Sequence, residues 1–249
     1  MTPNLVLARF VEELKDTIPG NLYLPADWGA KVPYHLWNDP YVKNDKAVVH
    51  WYGGPVAPAY EPYSVAKSMW QVREMESLHT RPPRNWRGGA YGDAYDQMAN
   101  VFVVRGFNLY GAHRGDYEGD GIAENAEGMP HLWLGGSGQK PTDEAFEALE
   151  AIILAAERTE RTTYDIVIGH KEIEGGTSCP GPDNMGWVTT NRTSKEFEMS
   201  LWQDADIKIR KALKRHGKMI RGNRRRISML DARLDALEPP MPIPMDDAR

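Results

Sequence analysis

The sequence predicts an α/β domain, a central mixed β-sheet flanked by helices, with a helical extension at its C-terminal end. Two short apolar, β-branched runs carry the sheet: Ala47-Val48-Val49-His50-Trp51-Tyr52 and Tyr164-Asp165-Ile166-Val167-Ile168-Gly169-His170. Each closes on a histidine at the strand's exit, the design of a buried parallel strand. Amphipathic segments at helical period stand before, between and after these runs, which is the alternation expected of an α/β layer structure.

Taken in order, Asn4 to Lys15 reads as a helix with Leu5, Leu7, Phe10, Val11 and Leu14 on its apolar side. Residues 19 to 44 are rich in Pro and Trp and read as loop. Ser64 caps a helix running to about Leu78, with Val65, Met69, Val72 and Met75 on one face. Arg81 to Gly92, with Pro82-Pro83 and Gly88-Gly89, reads as a long loop at the rim of a cleft. Val101 to Tyr110 reads as a hairpin, and residues 143 to 158 as a helix buried along Phe146, Leu149, Ile152, Ile153 and Ala156. No period of 20 to 50 residues recurs, which argues against a repeat architecture.

With 249 residues and 41% hydrophobic content, the chain can bury one full core with an appendage, or two small domains. Its mean hydropathy is −0.57 and no apolar run reaches the length of a membrane span, so no transmembrane segment is expected. Glu12, Glu13 and Asp16 interrupt the first twenty residues, unlike a secretory signal. A single cysteine, Cys179, fits synthesis in a reducing cytoplasm.

Charge marks a boundary. Residues 1 to 206 hold 18 basic and 30 acidic side chains, whereas residues 207 to 249 hold 12 and 5. Ten basic side chains fall between Lys208 and Arg226. Such a segment is by default a solvated helix face; the sharper expectation is an anionic-polymer binder, and charge alone does not choose among wall polymer, membrane surface and nucleic acid. Leu213, Ile220, Ile227 and Leu234 recur every seven residues, joined by Leu230 and Leu237, so a short coiled coil or a docked helix is expected there. Gly217 and Gly222 weaken it. Pro239 to Pro244 ends any helix, and residues 239 to 249 read as a Pro-rich disordered tail.

Chemistry concentrates in Gly169-His170-Lys171-Glu172-Ile173-Glu174-Gly175-Gly176-Thr177-Ser178-Cys179-Pro180-Gly181, which sets an imidazole and the only thiol nine residues apart on one loop. Inert packing, nucleophilic catalysis and metal ligation are the employments open to such a cysteine. For a metal, His50 is the best third ligand, because parallel strands ending at His50 and His170 present both imidazoles at the same sheet edge, where open α/β sheets place their sites. Two nitrogens and a thiolate suit Zn2+ better than Mg2+ or Ca2+ and leave a fourth position for water.

These motifs resemble the zinc-dependent N-acetylmuramoyl-L-alanine amidases, the type shared by phage endolysins and peptidoglycan recognition proteins. The resemblance rests on Val49-His50-Trp51, Gly169-His170-Lys171-Glu172 and Thr177-Ser178-Cys179-Pro180-Gly181. It extends through Leu109-Tyr110-Gly111-Ala112-His113-Arg114-Gly115, Asn125, His131 to Gly136 and Pro141 to Ala145, so that it covers roughly residues 45 to 190. It implies the amidase and peptidoglycan-recognition-protein fold, with residues 1–44 as an N-terminal helix and loop, 45–200 as the catalytic domain, 201–238 as a basic helical segment and 239–249 as tail. It implies zinc on His50, His170 and Cys179, activating water against the amide between N-acetylmuramic acid and L-alanine.

Thr177 matches a family position associated with stabilising the oxyanion. The family's assisting Tyr should stand just before Val101, where this chain has Ala99-Asn100; Tyr95, close by, is the candidate. One residue more than usual separates His170 from Cys179, and the Gly175-Gly176 pair must absorb it. Trp51 and Trp86 are candidates for stacking on sugar or stem peptide, with core or rim packing as their ordinary role. Glu172 assists only by turning toward the metal. The expected partner is bacterial peptidoglycan, reached after synthesis in a host cytoplasm and release to the wall; the basic C-terminal helix is expected to bind anionic wall polymer or to self-associate, with no specific nucleic acid.

Taken singly, each of these residues has a bland reading. A strand-end histidine is usually structural, and His35, His79, His113, His131 and His216 keep that reading, with His113 and His131 as potential outer groups around the site. The joint occurrence of His50, His170 and Cys179 raises the metal. Three alternatives remain: a metal-free peptidoglycan-binding module, against which Cys179 counts; a cysteine hydrolase pairing Cys179 with His50 or His170; and a nucleic-acid or partner binder acting through the tail, which leaves the histidine pair unexplained. Cleavage of another stem-peptide amide is the runner-up within the enzyme class.

Overall fold

The structure is a computed structural model, and it describes residues 3–31, 44–53, 64–106, 113, 115–117, 119, 128–135, 139–160 and 166–192. The expectations for Leu109 to Ala112, Arg114, Asn125, the basic helical segment and the Pro-rich tail lie outside the described residues. The described residues all belong to one compact unit, Met1–Glu196, and residues 197–249 lie outside the described set.

A six-stranded mixed sheet organises this unit. Its strands are β1 (Leu22–Tyr23), β2 (Lys46–Trp51), β3 (Asp93–Tyr95), β4 (Val101–Val103), β5 (Gly128–Trp133) and β6 (Ile166–Gly169), in the order β1-β4-β3-β5-β2-β6. Only β3 and β4 are antiparallel; the other pairings are parallel. The helices are α1 (Pro3–Thr17), α2 (Pro25–Trp28), α3 (Val65–Thr80), α4 (Asp143–Glu160), α5 (His170–Ile173) and α6 (Pro182–Thr190).

Residues in register across neighbouring strands share a face, so the pairing assigns both faces. Val48, His50, Leu132, Ala94 and Phe102 lie on one. There Ala94, Phe102, Val104, Leu132 and Leu134 pack with Trp28 of α2 and with Val72 and Met75 of α3. Val49, Trp51, His131, Trp133, Asp93 and Tyr95 lie on the other. β2 is entirely internal, with β5 on one side and β6 on the other, which explains its unbroken apolar run.

The helices predicted within the described residues form, α1 longer at both ends and α3 and α4 longer by about one or two residues at their C-terminal ends. In α1, Leu7, Phe10 and Leu14 are buried, and in α4 Leu149, Ile152, Ile153 and Ala156 are; Phe146 is instead half-buried and stacks on Trp187, 5.6 Å between ring centroids. Ser64 caps α3 by accepting from Lys67 N at 3.3 Å. The buried stripe of α3 differs from the expected apolar one, because it includes Ser68, Gln71 and Glu76. Polar partners make that possible: Ser68 Oγ donates to Asp96 Oδ2 at 2.7 Å, and Glu76 Oε2 accepts from Lys31 N at 2.8 Å.

One expectation is corrected. The Pro- and Trp-rich stretch is not all loop, since it contains β1 and α2; Pro25 starts α2, and the Trp28 indole donates to Val103 O at 2.9 Å. β4 forms a hairpin with the preceding β3; the hairpin expected over Val101 to Tyr110 falls partly on residues 107–110, which lie outside the described set. The turn joining β3 to β4 is fixed by Asp96, whose Oδ1 accepts from Met98 N and Asn100 N at 2.9 and 3.0 Å, and by Ala99 at φ 61°.

Candidate metal centre

His50 sits near the end of β2, in register with Leu132 of β5 and one residue past the last β2–β6 pair, and His170 follows β6, the next strand over. The pairing therefore delivers both imidazoles to one sheet edge. Gly169 lets the chain turn there, because a Cβ at this position would stand 2.1 Å from Met185 Sδ and 3.0 Å from Pro180 Cδ. Beyond α5 the chain returns, and the amide of Lys171 donates to Cys179 O at 2.8 Å, closing the loop at its base. The Gly175-Gly176 pair lies at the exposed tip, with Gly176 at φ 92° and open space around both, so the extra residue is taken up in solvent.

Ligand atoms of His50, His170 and Cys179 lie within 4.8 Å of one another. His50 Nδ1 is 3.7 Å from Cys179 Sγ. Bonds of roughly 2.0–2.3 Å put the ligands of a tetrahedral zinc about 3.5 Å apart, so this pair already stands at bridging distance. His170 Nε2 is buried and has no hydrogen-bond partner, its nearest acidic neighbour being Glu174 Oε2 at 3.6 Å. A buried nitrogen left unsatisfied beside a thiol and a second imidazole fits a soft cation.

Electrostatics point the same way. Burial, and then the neighbouring His113, His170 and His131, hold His50 well below the usual imidazole range. Burial also lowers His170, opposed by Glu174. Both are therefore neutral near pH 7, the form that can ligate. Burial pushes the Cys179 thiol up to about 12, opposed by the Trp51 N–H, which donates to Sγ at 3.4 Å.

The other residues singled out by sequence fall in different places. Thr177 Oγ1 accepts from Cys179 N at 3.1 Å and so shapes the ligand loop; its own hydroxyl proton stays available to another acceptor. Trp51 projects to the face away from His50 and packs over Gly181, where a Cβ would meet its ring at 2.7 Å. Glu172 turns from the cluster: its carboxylate accepts from Gly169 N at 2.8 Å and pairs with Arg192. Tyr95 is fully buried on the face opposite His50, and its hydroxyl has no hydrogen-bond partner.

One neighbour of His50 escaped the sequence reading, and a second, His113, was expected only as a potential outer group. Tyr91 packs on the His50 side of the sheet, edge to face with His50 at 5.1 Å between ring centroids. His113, 1% exposed, places Nδ1 3.3 Å from His50 Nε2. The available signal for Tyr91 was its position two residues before Asp93, on the β3 side of the hairpin. Trp86 stands at the end of a row of rings: it is 40% exposed, 4.9 Å from His79, which is 5.8 Å from Tyr91. Arg84 lies over Trp86 at 5.9 Å.

His79 also ties this row to the fold, since its Nδ1 accepts from Ala90 N at 3.1 Å. Burial, then Arg84 and Arg105, lower it to about 4. The unfolded chain, with an ordinary imidazole near 6.5, therefore binds the proton first. Stability from His79 is present above about pH 6.5 and declines as pH falls toward about 4. Urea unfolding near pH 7 and near pH 4.5 should show His79→Asn losing about 2 kcal/mol less than the parent between the two conditions. Equal losses in both proteins would refute the assignment.

No family model matches the sequence, and no curated protein sequence matches it significantly. Solved structures do match. The fold is that of the peptidoglycan recognition proteins. Wild-type PGRP-LB of Drosophila superposes with a TM-score of 0.55 at 20% identity, over 69% of this chain and 94% of its own. Drosophila PGRP-SA gives 0.53 at 19%, over 67% and 90%. A third match, 0.53 at 19% over 66% and 91%, is the ectodomain complex of PGRP-LCa and PGRP-LCx with tracheal cytotoxin bound.

Proposed function

We propose that this chain is a zinc-dependent peptidoglycan hydrolase of the phage-endolysin type, an N-acetylmuramoyl-L-alanine amidase. The observation that carries the reading is the convergence of His50, His170 and Cys179 at one sheet edge of this fold. Zinc bound there supplies a Lewis acid and water activated near neutral pH.

The chain's own residues supply the rest. His50 is fixed on an internal strand by its pairing with β5, and the His170 and Cys179 segments are joined by the Lys171–Cys179 hydrogen bond, so the ligand set is assembled by the fold. Tyr91, raised by burial and then by Cys179, keeps its phenolic proton and is the group assigned to donate to the developing oxyanion or the leaving amine. This role passes to Tyr91 from Tyr95, whose hydroxyl lies in the core on the other face. Thr177 is assigned a second donor role through its free hydroxyl proton. Trp86 and the rings leading from it toward His50 offer stacking surface for sugar or stem peptide.

Cysteine hydrolysis is the weaker account, because a thiol pushed up to about 12 holds almost no thiolate at neutral pH. Binding without cutting is the second reading; the PGRP-LCa and PGRP-LCx complex, which has this fold, holds tracheal cytotoxin. Under the primary reading the protein is made in the host cytoplasm and acts on the wall after release, while its basic C-terminal segment binds anionic wall polymer or self-associates. Among the described residues no helix is long and apolar enough to cross a membrane.

The test is product analysis. Purified peptidoglycan incubated with the zinc-loaded protein should release stem peptides beginning at a free L-alanine amine, identified by mass, with no new reducing ends. New amines deeper in the stem would assign another amide; retention on peptidoglycan without products would assign the binding module.

A further inference from the structure

His50 offers two ring nitrogens with different surroundings. Nδ1 faces Cys179 Sγ at 3.7 Å, and Nε2 faces His113 Nδ1 at 3.3 Å. Both rings are essentially out of water, at 2% and 1% exposure. Two neutral arrangements satisfy the nitrogen pair. Either the Nε2–H of His50 donates to His113 Nδ1, leaving His50 Nδ1 with a lone pair beside Cys179, or His113 Nδ1–H donates to His50 Nε2, placing the His50 proton on Nδ1. Only the first leaves Nδ1 able to ligate.

We propose that His113 is a positioning residue: by accepting the Nε2–H of His50 it selects the tautomer whose Nδ1 binds the metal and holds the ring aimed at Cys179. The proposal rests on the zinc reading above. It assigns work to a histidine that comes from a separate part of the chain, 63 residues from His50. The stacked approach of the two rings, 5.4 Å between centroids at 26°, limits rotation of His50 about its own axis. His113 lies farther from His170, at 6.5 Å, and so acts on the first ligand chiefly. Outer partners of this kind typically alter metal affinity 10–100-fold.

The experiment measures zinc affinity of the full chain by chelator competition for the parent, His113→Leu and His113→Asn. Leu fills the space without an acceptor; Asn returns an acceptor oxygen near the place of Nδ1. Melting of the metal-free proteins checks that each variant folds, and the cobalt-substituted forms report the ligand set through their thiolate charge-transfer band. His113→Leu should bind zinc about 10–100-fold more weakly, His113→Asn within about threefold of the parent, and all three should keep the thiolate band. Parental affinity in folded His113→Leu would overturn the proposal, as would an equally weak His113→Asn. If His113→Leu does not fold, the Asn variant decides alone: affinity within about threefold of the parent supports the proposal, and a tenfold loss overturns it. Failure of the parent itself to bind zinc would instead overturn the zinc reading on which the proposal stands.

Discussion

Cys179→Ser is expected to fold, to lose its zinc and to stop cutting peptidoglycan. The parent should carry about one zinc per chain by elemental analysis, because three ligands converge on a single point. Serine is close to cysteine in size, and Cys179 is a small buried group, so the fold should tolerate the exchange. The hydroxyl is a much poorer zinc ligand than a thiolate at neutral pH. The expected loss of affinity therefore exceeds the 10–100-fold typical of an outer partner, and amide cleavage should fall with it on the same samples. A metal-free parent that still cuts, and is silenced by Cys179→Ser, would move the case to cysteine hydrolysis.

Tyr91→Phe should produce the second large effect. Deleting the phenolic proton donor should lower kcat by about 10²–10⁴-fold, the range of a lost general acid or base. KM should change little, and zinc content should stay at the parental level. Tyr95→Phe is the comparison that gives this result meaning. Its hydroxyl is buried and unpartnered, so removing it should leave kcat unchanged and stability equal or raised by about 1 kcal/mol. A kcat loss in Tyr95→Phe and none in Tyr91→Phe would return the assisting role to Tyr95.

The candidate metal ligands were legible in the sequence because each announces itself locally. A buried β-branched run ending in His fixes both a strand and the edge at which its side chain emerges. β2 and β6 are such runs, and their parallel pairing brings His50 and His170 together. Cys179 needed only its uniqueness and its distance from His170. The long helices were legible for the same reason, since α1 and α4 have an apolar period that matches what they bury.

What was not legible depends on contacts between distant segments. β1 is two residues long and exists through pairing with β4, while α2 is one turn anchored by the Trp28 indole. Neither leaves a periodic signal. Tyr91 and Tyr95 are four apart and indistinguishable by type. They part company because β3 starts only at Asp93: Tyr95 obeys strand alternation and points with Asp93, whereas Tyr91 precedes the strand in a segment docked on His79 through Ala90. His113 was legible only as a potential outer group, because its contact with His50 joins segments 63 residues apart. The Asp93–His131 contact, 3.0 Å with both side chains out of water, is likewise a product of β3–β5 pairing.

The position of β6 at the margin of the sheet bears on how a bound ion would leave. β2 is paired along both flanks up to Val49, and His50 itself stays in register with Leu132 of β5, so freeing it requires the ladder to the interior strand to open. β6 has four residues and one neighbouring strand, and the loop that follows it ends at an exposed glycine tip. Transient local opening draws on the least-connected segments of a native protein. If the cluster holds an ion, the His170–Cys179 side would be the hinged side of the cage, and the ion's lifetime would follow the fraying of one marginal strand rather than the global unfolding of the domain.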